Sequence, residues 1–185
     1  RLGDVVTPVE EILEALKGHP ACLRAEAAGS YRRAKETVHD VDFLVATSQP
    51  DEMVRFFIEQ PWVERVIAQG PTKASINLAN GLQCDLRAVS NAEYACALAY
   101  FTGSKEHNVA LRGRALERGY TLNEYRLAPR EGGSAPEAPI FAEEAELHAF
   151  LGLEYRAPEL RENGGEIEAA QKHELPRLIE IGNLR

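Results

Sequence analysis

Apolar residues recur along this chain with two periods. Val9, Ile12, Leu13 and Leu16 follow helical spacing behind Thr7-Pro8-Val9-Glu10. That tetrapeptide offers a capping hydroxyl, a proline suited to the first helical position and a capping-box glutamate, so it predicts a helix starting at Thr7. Gly18 and Pro20 close the helix. Residues 22–27 and 40–47 predict strands on either side of Gly29-Ser30, 51–60 a helix stopped by Pro61, and 62–68 a third strand. Residues 73–79 and 82–89 flank Asn80-Gly81, a two-residue hairpin signal. The second arm alternates: Leu82, Cys84 and Leu86 face one side, and Gln83, Asp85 and Arg87 the other.

From residue 91 the texture turns helical. Residues 91–102 and 104–118 predict two helices broken by Gly103 and closed by Gly119. Residues 121–127 predict a strand, the Pro-, Gly- and Ala-rich 128–139 a loop, and 141–151 a short acidic helix. Beyond Pro158 little core-forming pattern remains. A boundary near Ser90 therefore separates a mixed α/β half from a mostly helical one.

Composition bounds this picture. The 185 residues are 44% apolar and 27% charged, which argues against disorder and allows one ordinary domain or two small ones. No apolar run approaches the ~18 residues that span a bilayer, and no signal peptide stands at the N-terminus. The chain opens on Arg1, not Met, as expected of a piece of something longer. The net charge of −8 would by itself discourage a nucleic-acid partner. It is uneven, however. Through Arg130 there are 16 basic against 17 acidic residues; the remainder holds 5 against 12. The first two thirds can therefore carry local basic patches. Cys22, Cys84 and Cys96 form no CxxC pair and read as plain thiols.

The candidate chemistry lies in three acids. Asp40 and Asp42 are two apart on one predicted strand, so both project from one face, and Asp85 lies on the polar face of another. Carboxylates converging on one sheet face repel unless cations hold them, and hard divalent ions accept such ligands together with substrate phosphates. An Asp-x-Asp pair alone equally describes a solvated strand end. Gly29-Ser30 upstream, followed by Arg32, Arg33 and Lys35, adds free N–H groups, a hydroxyl and cations for a phosphate tail.

Gly29-Ser30…Asp40-Val41-Asp42 resembles the nucleotidyltransferase signature of the polymerase-beta superfamily. Ser30-Tyr31-Arg32-Arg33-Ala34-Lys35-Glu36, Gln83-Cys84-Asp85-Leu86-Arg87, Tyr100-Phe101-Thr102-Gly103-Ser104 and Leu122-Asn123-Glu124-Tyr125 occur in the order and spacing of family X DNA polymerases. Gly103-Ser104-Lys105-Glu106-His107-Asn108 is similar to the bacterial branch.

The resemblance implies an α+β fold: a nucleotidyltransferase palm (a mixed sheet with flanking helices) over 1–89, a small helical thumb with a short β-hairpin over 90–160, and a linker over 161–185. The tail from Leu175 to Arg185 resembles the approach to a PHP nuclease domain. The implied function is template-directed addition of dNTPs to a primer 3′-hydroxyl, serving short-gap filling in base excision repair. Asp40 and Asp42 would bridge two Mg²⁺ or Mn²⁺ ions, and Asp85 would bind the catalytic one and help activate the primer. Gly29, Ser30 and Arg33 match the triphosphate site, and Arg1 a further contact there. Tyr100, Phe101 and Gly103 match the segment beside the sugar, and Asn108 a contact to the nascent base pair. Arg112 matches a template contact, and Arg87 an arginine that pairs with the metal-site carboxylates during closure. The implied partners are gapped or primer–template DNA and dNTP, with no membrane; the implied state is a monomer in the cytoplasm, at the nucleoid.

Pattern reading alone supports part of this. Asn108 and Arg112 are i, i+4 and share a helical face, and Lys105, Arg112, Arg114 and Arg118 make that helix basic. Tyr100 and Phe101 by pattern alone read as core aromatics, and His39 and His107 as residues without a chemical role. The sequence departs from the family at His39, Ala34 and Arg126, where Gly is usual. The first two bear on the triphosphate site, where a Cβ can crowd a backbone approach. The alternatives are a related nucleotidyltransferase acting on RNA, protein or a small molecule, and a catalytically weak DNA-binding scaffold.

Overall fold

A computed structural model describes residues 2–162. The first half of the chain is a five-stranded sheet in the order β1-β2-β5-β4-β3. Its strands are β1 (Arg24–Ala27), β2 (Asp40–Ala46), β3 (Val63–Gln69), β4 (Lys73–Leu78) and β5 (Gln83–Val89). β2 and β5 pair in parallel, and every other pairing is antiparallel. The sheet is mixed, as expected. At the Asn80-Gly81 turn, Gly81 takes φ +85° and the Asn80 side chain accepts the Leu82 N–H.

Two helices, α1 (Leu2–Gly18) and α3 (Pro50–Ile58), cover one face of the sheet. Val9, Ile12, Leu16, Met53 and Phe57 pack there with Val41, Phe43, Ile76, Cys84 and Leu86 in one core. α1 begins at Leu2, not at Thr7, and Pro8 lies inside it. The buried row explains this. Val5 continues the stripe of Val9, Ile12 and Leu16 one turn upstream, and burying it outweighs the one backbone bond Pro8 cannot donate. β3 forms the outer edge, with bulge-like register shifts on its one paired side.

The opposite face of the sheet is divided along its length. Near the C-terminal ends of β2 and β5, Leu44, Ala46 and Val89 are buried against Tyr94, Ala97 and Leu98 of α4 (Tyr94–Thr102). Near the N-terminal ends that face carries the acids. α4 leads into α5 (Lys105–Glu117), whose N-cap Ser104 accepts the His107 N–H. The expected strand over 121–127 is instead two short strands, β6 (Tyr120–Leu122) and β7 (Leu127–Pro129), paired antiparallel. The Asn123 side chain accepts the N–H groups of Tyr125 and Arg126 and turns the chain between them. α6 (Glu144–Phe150), opened by a Glu143/Glu146 capping box, completes a second core with Leu111, Ala115, Leu127 and Leu151.

Arginines tie the two halves together. Arg32 donates to Thr102 Oγ1 at 2.8 Å and to Glu144 at 2.6 Å. Glu144 also accepts from Arg161 at 2.6 Å. Burial pushes the Glu144 carboxyl up, but Arg161 and Arg32 outweigh it and hold the group below the ordinary carboxylate range. Arg24 reaches the carbonyl of Ala142 and the carboxylate of Glu143. All three cysteines are free thiols. Among the described residues no helix is long and apolar enough to cross a membrane. Arg1, most of the 161–185 linker and the tail likened to a PHP approach lie outside the described residues.

Candidate active site

Strand register brings the acids together. Asp42 lies directly beside Asp85 across the parallel β2–β5 pair, and Asp40 beside Gln83. Parallel pairing without a shift keeps their parity, so all four side chains leave the same face. Gln83 Nε2 donates to both Asp85 oxygens, at 3.2 and 3.3 Å, and so sets that carboxylate's orientation. Among the described residues no three of His, Cys, Asp or Glu are gathered tightly enough to form a ready-made cation cage.

Asp42 bears the strain of this arrangement. Burial, and then the charges of Asp85 and Asp40, push its carboxyl up to about 6; Arg33 and Arg87 offset only part of that. A carboxyl raised in the folded state costs stability once ionised. The cost is absent below the unfolded value of 3.8 and complete above about pH 6. Asp42→Asn should therefore stabilise the metal-free protein by about 1–3 kcal/mol at pH 8. Denaturant unfolding in EDTA should show this advantage shrinking as the pH falls from 6 to 4. An advantage that persists unchanged at pH 4 would refute the account.

The turn after β1 brings Gly29, Ser30 and Arg33 beside the acids. Ala28 N–H bonds the Asp42 carbonyl at 2.7 Å, and a four-residue helix, α2 (Gly29–Arg32), starts at once. Gly29 has φ +63°, and a Cβ there would stand 2.5 Å from Asp42 Oδ2. Only glycine lets this turn pass so close to the acid. The turn also exposes Ala34 in the left-handed region, at φ +55°, a conformation glycine adopts without the cost a Cβ brings. Arg33 extends toward α4, and its Nη1 donates to the Thr102 carbonyl at 2.5 Å.

Two adjoining cavities, each of about 450 Å³, meet at this point. The first takes Gly29, Ser30 and Arg33 from the sheet half and Tyr100, Phe101, Gly103, Asn108 and Arg112 from the helical half, with Asp40 and Asp42 alongside. The second shares Asp42 and Phe101 and adds Asp85, Arg87, Gln83 and Lys73. The three acids, Gly29, Ser30, Arg33, Tyr100, Phe101, Gly103, Asn108, Arg87 and Arg112 thus line one cavity or the other, while Arg32 and Lys35 line neither. Phe101 forms their common wall. Arg87 lies over its ring at 5.0 Å, and Tyr100 meets it edge-on at 5.1 Å. The Asn108 amide donates to the Tyr100 carbonyl at 2.7 Å.

Sequence reasoning passed over several neighbours. Gln83 was visible on the polar face of its strand, but its hold on Asp85 was not. Lys73 lines the second cavity and was not singled out; Ser104 and Lys105, named only within motifs and a basic helix, line the first. Lys73 pairs with Arg87 across β4–β5, a register that the hairpin signal already fixes. Of the two histidines read as having no chemical role, His39 is exposed and His107 is buried within α5.

Comparison with known proteins agrees with this arrangement. A family model described as DNA polymerase beta thumb matches residues 97–162. The chain is 37% identical, over its whole length, to a Bacillus subtilis protein named DNA polymerase/3′-5′ exonuclease PolX, and covers 32% of it. Over 74% of its length it is 29% identical to DNA polymerase lambda of Rattus norvegicus, of which it covers 28%. The chain thus spans about a third of the length of these relatives. With motifs in family order, a thumb match across the helical half and identity running from end to end, the chain belongs to the family X DNA polymerases.

Proposed function

We propose that this chain is the catalytic core of a template-directed DNA polymerase, with a palm over 1–89 and a nucleotide-binding thumb over 90–160, that extends a primer 3′-hydroxyl with dNTPs to fill short gaps during repair. The observation that carries this reading is the pair of cavities sharing Asp42 and Phe101. One offers a hydroxyl and an arginine suited to an anionic tail; the other holds Asp85 and has room for a primer end, which supports the reading. On this reading the protein acts as a monomer in the bacterial cytoplasm.

Asp40, Asp42 and Asp85 would hold two Mg²⁺ or Mn²⁺ ions. Their chemistry fits: all donors are oxygen, and the mutual repulsion that raises the Asp42 carboxyl is relieved by positive charge. When bound, such ions stabilise the charge that develops on the attacking and leaving oxygens of the displacement. The side chains do the rest. Ser30 and Arg33 bind the triphosphate and keep its α-phosphate in line with the primer 3′-oxygen. Asp85, oriented by Gln83, faces that oxygen and favours loss of its proton. Arg33 stays beside the departing pyrophosphate. Tyr100 and Phe101 wall the sugar. Asn108 has a second amide N–H beyond the one given to Tyr100, and this reaches the base-pair edge. Arg112 meets a template phosphate.

The direct test is extension of a primer across a one-nucleotide gap with Mg²⁺. We expect addition of the templated nucleotide, dNTP over rNTP, abolished by EDTA. Untemplated transfer, or a preference for rNTP, would point to a nucleotidyltransferase of another kind. DNA binding without extension under Mg²⁺ or Mn²⁺ would mark a scaffold.

A further inference from the structure

Arg33 already holds an anion. Its Nε donates to Glu162 Oε1 at 2.5 Å, and Lys35 Nζ lies 3.5 Å from Glu162 Oε2. Both cations belong to the turn that follows Ser30. Glu162 comes from the far end of the described chain, on the helical side.

A fixed stem carries this carboxylate. The preceding Arg161 is 1% exposed. Its guanidinium bonds Glu144 and the Arg156 carbonyl, and its own carbonyl accepts the Ser104 N–H at 2.8 Å. The Arg33 side chain is 13% exposed, while that of Glu162 is 36% exposed. The guanidinium is thus set in place and the carboxylate is half in water. An anion in that position can withdraw into solvent at little cost.

We propose that Glu162 is a resident competitor for the nucleotide: its carboxylate covers Arg33 and Lys35 in the free protein, and the phosphates of an incoming nucleoside triphosphate exchange with it. This rests on the reading of Arg33 as a triphosphate ligand. The chemistry favours exchange in one direction. A carboxylate brings one negative charge to two cations, whereas a triphosphate brings several and more acceptor oxygens. Ligands of low charge gain too little to displace the glutamate. Glu162 therefore sets a threshold that a nucleoside triphosphate passes and a singly charged metabolite does not. Once displaced, the carboxylate remains close to the phosphates and repels them, which also weakens retention of pyrophosphate after the reaction.

The test is binding of dATP–Mg²⁺ to the intact protein, without DNA and at low salt, in wild type, Glu162→Gln, Glu162→Ala and Arg33→Ala. Both Glu162 variants should bind about threefold to tenfold more tightly, as expected for removing a competing exposed charge. The gain should fade as salt is raised. In gap filling, KM should fall while kcat stays within about twofold. Thermal melting checks that each variant is folded. If Arg33→Ala loses binding while both Glu162 variants bind like wild type or more weakly, the competitor role is overturned and the site reading stands. If Arg33→Ala binds like wild type, the site reading itself fails, and the competitor role with it.

Discussion

Asp85→Asn is expected to lower single-turnover dNTP incorporation on gapped DNA by about 10³-fold, the range seen when a positioned proton acceptor is lost. The fold should survive. Asp85 is half-buried on β5, a strand paired on both sides. Asn has the same shape, and its carbonyl can still accept from Gln83. Removing one of two adjacent carboxylates also relieves Asp42, so thermal stability in EDTA should hold or rise. The variant thus separates chemistry from folding. It keeps the first cavity and both cavity walls and loses one negative charge from the acid face. Incorporation within about tenfold of wild type, in a protein that melts normally, would remove Asp85 from the reaction.

The second large effect is expected at Gly29. A methyl group there would sit 2.5 Å from Asp42 Oδ2, on a backbone at φ +63°. The contact is shorter than atoms tolerate, so Asp42 or the turn must move. Gly29→Ala should cost about 1–2 kcal/mol from the backbone conformation alone. It should also cut kcat by about 10²-fold, since displacements near 1 Å at a reacting centre carry that cost. Gly81→Ala supplies the control. Gly81 also has positive φ, at +85°, but nothing lies within 4 Å of its missing Cβ. It should lose comparable stability and keep its activity. Equal activity in the two variants would show that the approach to Asp42 does not matter.

The sequence made the acid face legible because strand alternation is a local property. Once Asp40 and Asp42 share a strand, and Asp85 lies on the polar side of another, only the register between the strands is missing. Asn80-Gly81 was likewise readable, since a two-residue turn fixes its own hairpin. The motifs from Gly29 to Tyr125, taken in order, pointed to the family, and the comparisons bear this out. Other features depend on partners that no local pattern reveals. α1 starts before Pro8 because Val5 finds a core, which the capping residues do not encode. The strand read over 121–127 breaks in two because the Asn123 side chain accepts the N–H groups of Tyr125 and Arg126, which turns the chain. The bonds from Arg24, Arg32 and Arg33 to the helical half cross separations of 69 to 129 residues. No periodicity could have matched those charges, and the pairing of Glu162 with Arg33 is the extreme case.

The parallel β2–β5 pairing also decides when the site comes into being. Hairpins such as β4–β5 close over a few residues and form within microseconds. β2 must wait for its partner, because α3, β3 and β4 intervene between residues 42 and 85. This is the most distant strand pairing in the sheet and carries its largest loop-closure entropy. It is also the step that forces Asp42 against Asp85. A chain that has formed only its local hairpins therefore holds Asp40 and Asp42 on one strand without Asp85, and the third carboxylate joins them when the β2–β5 gap closes.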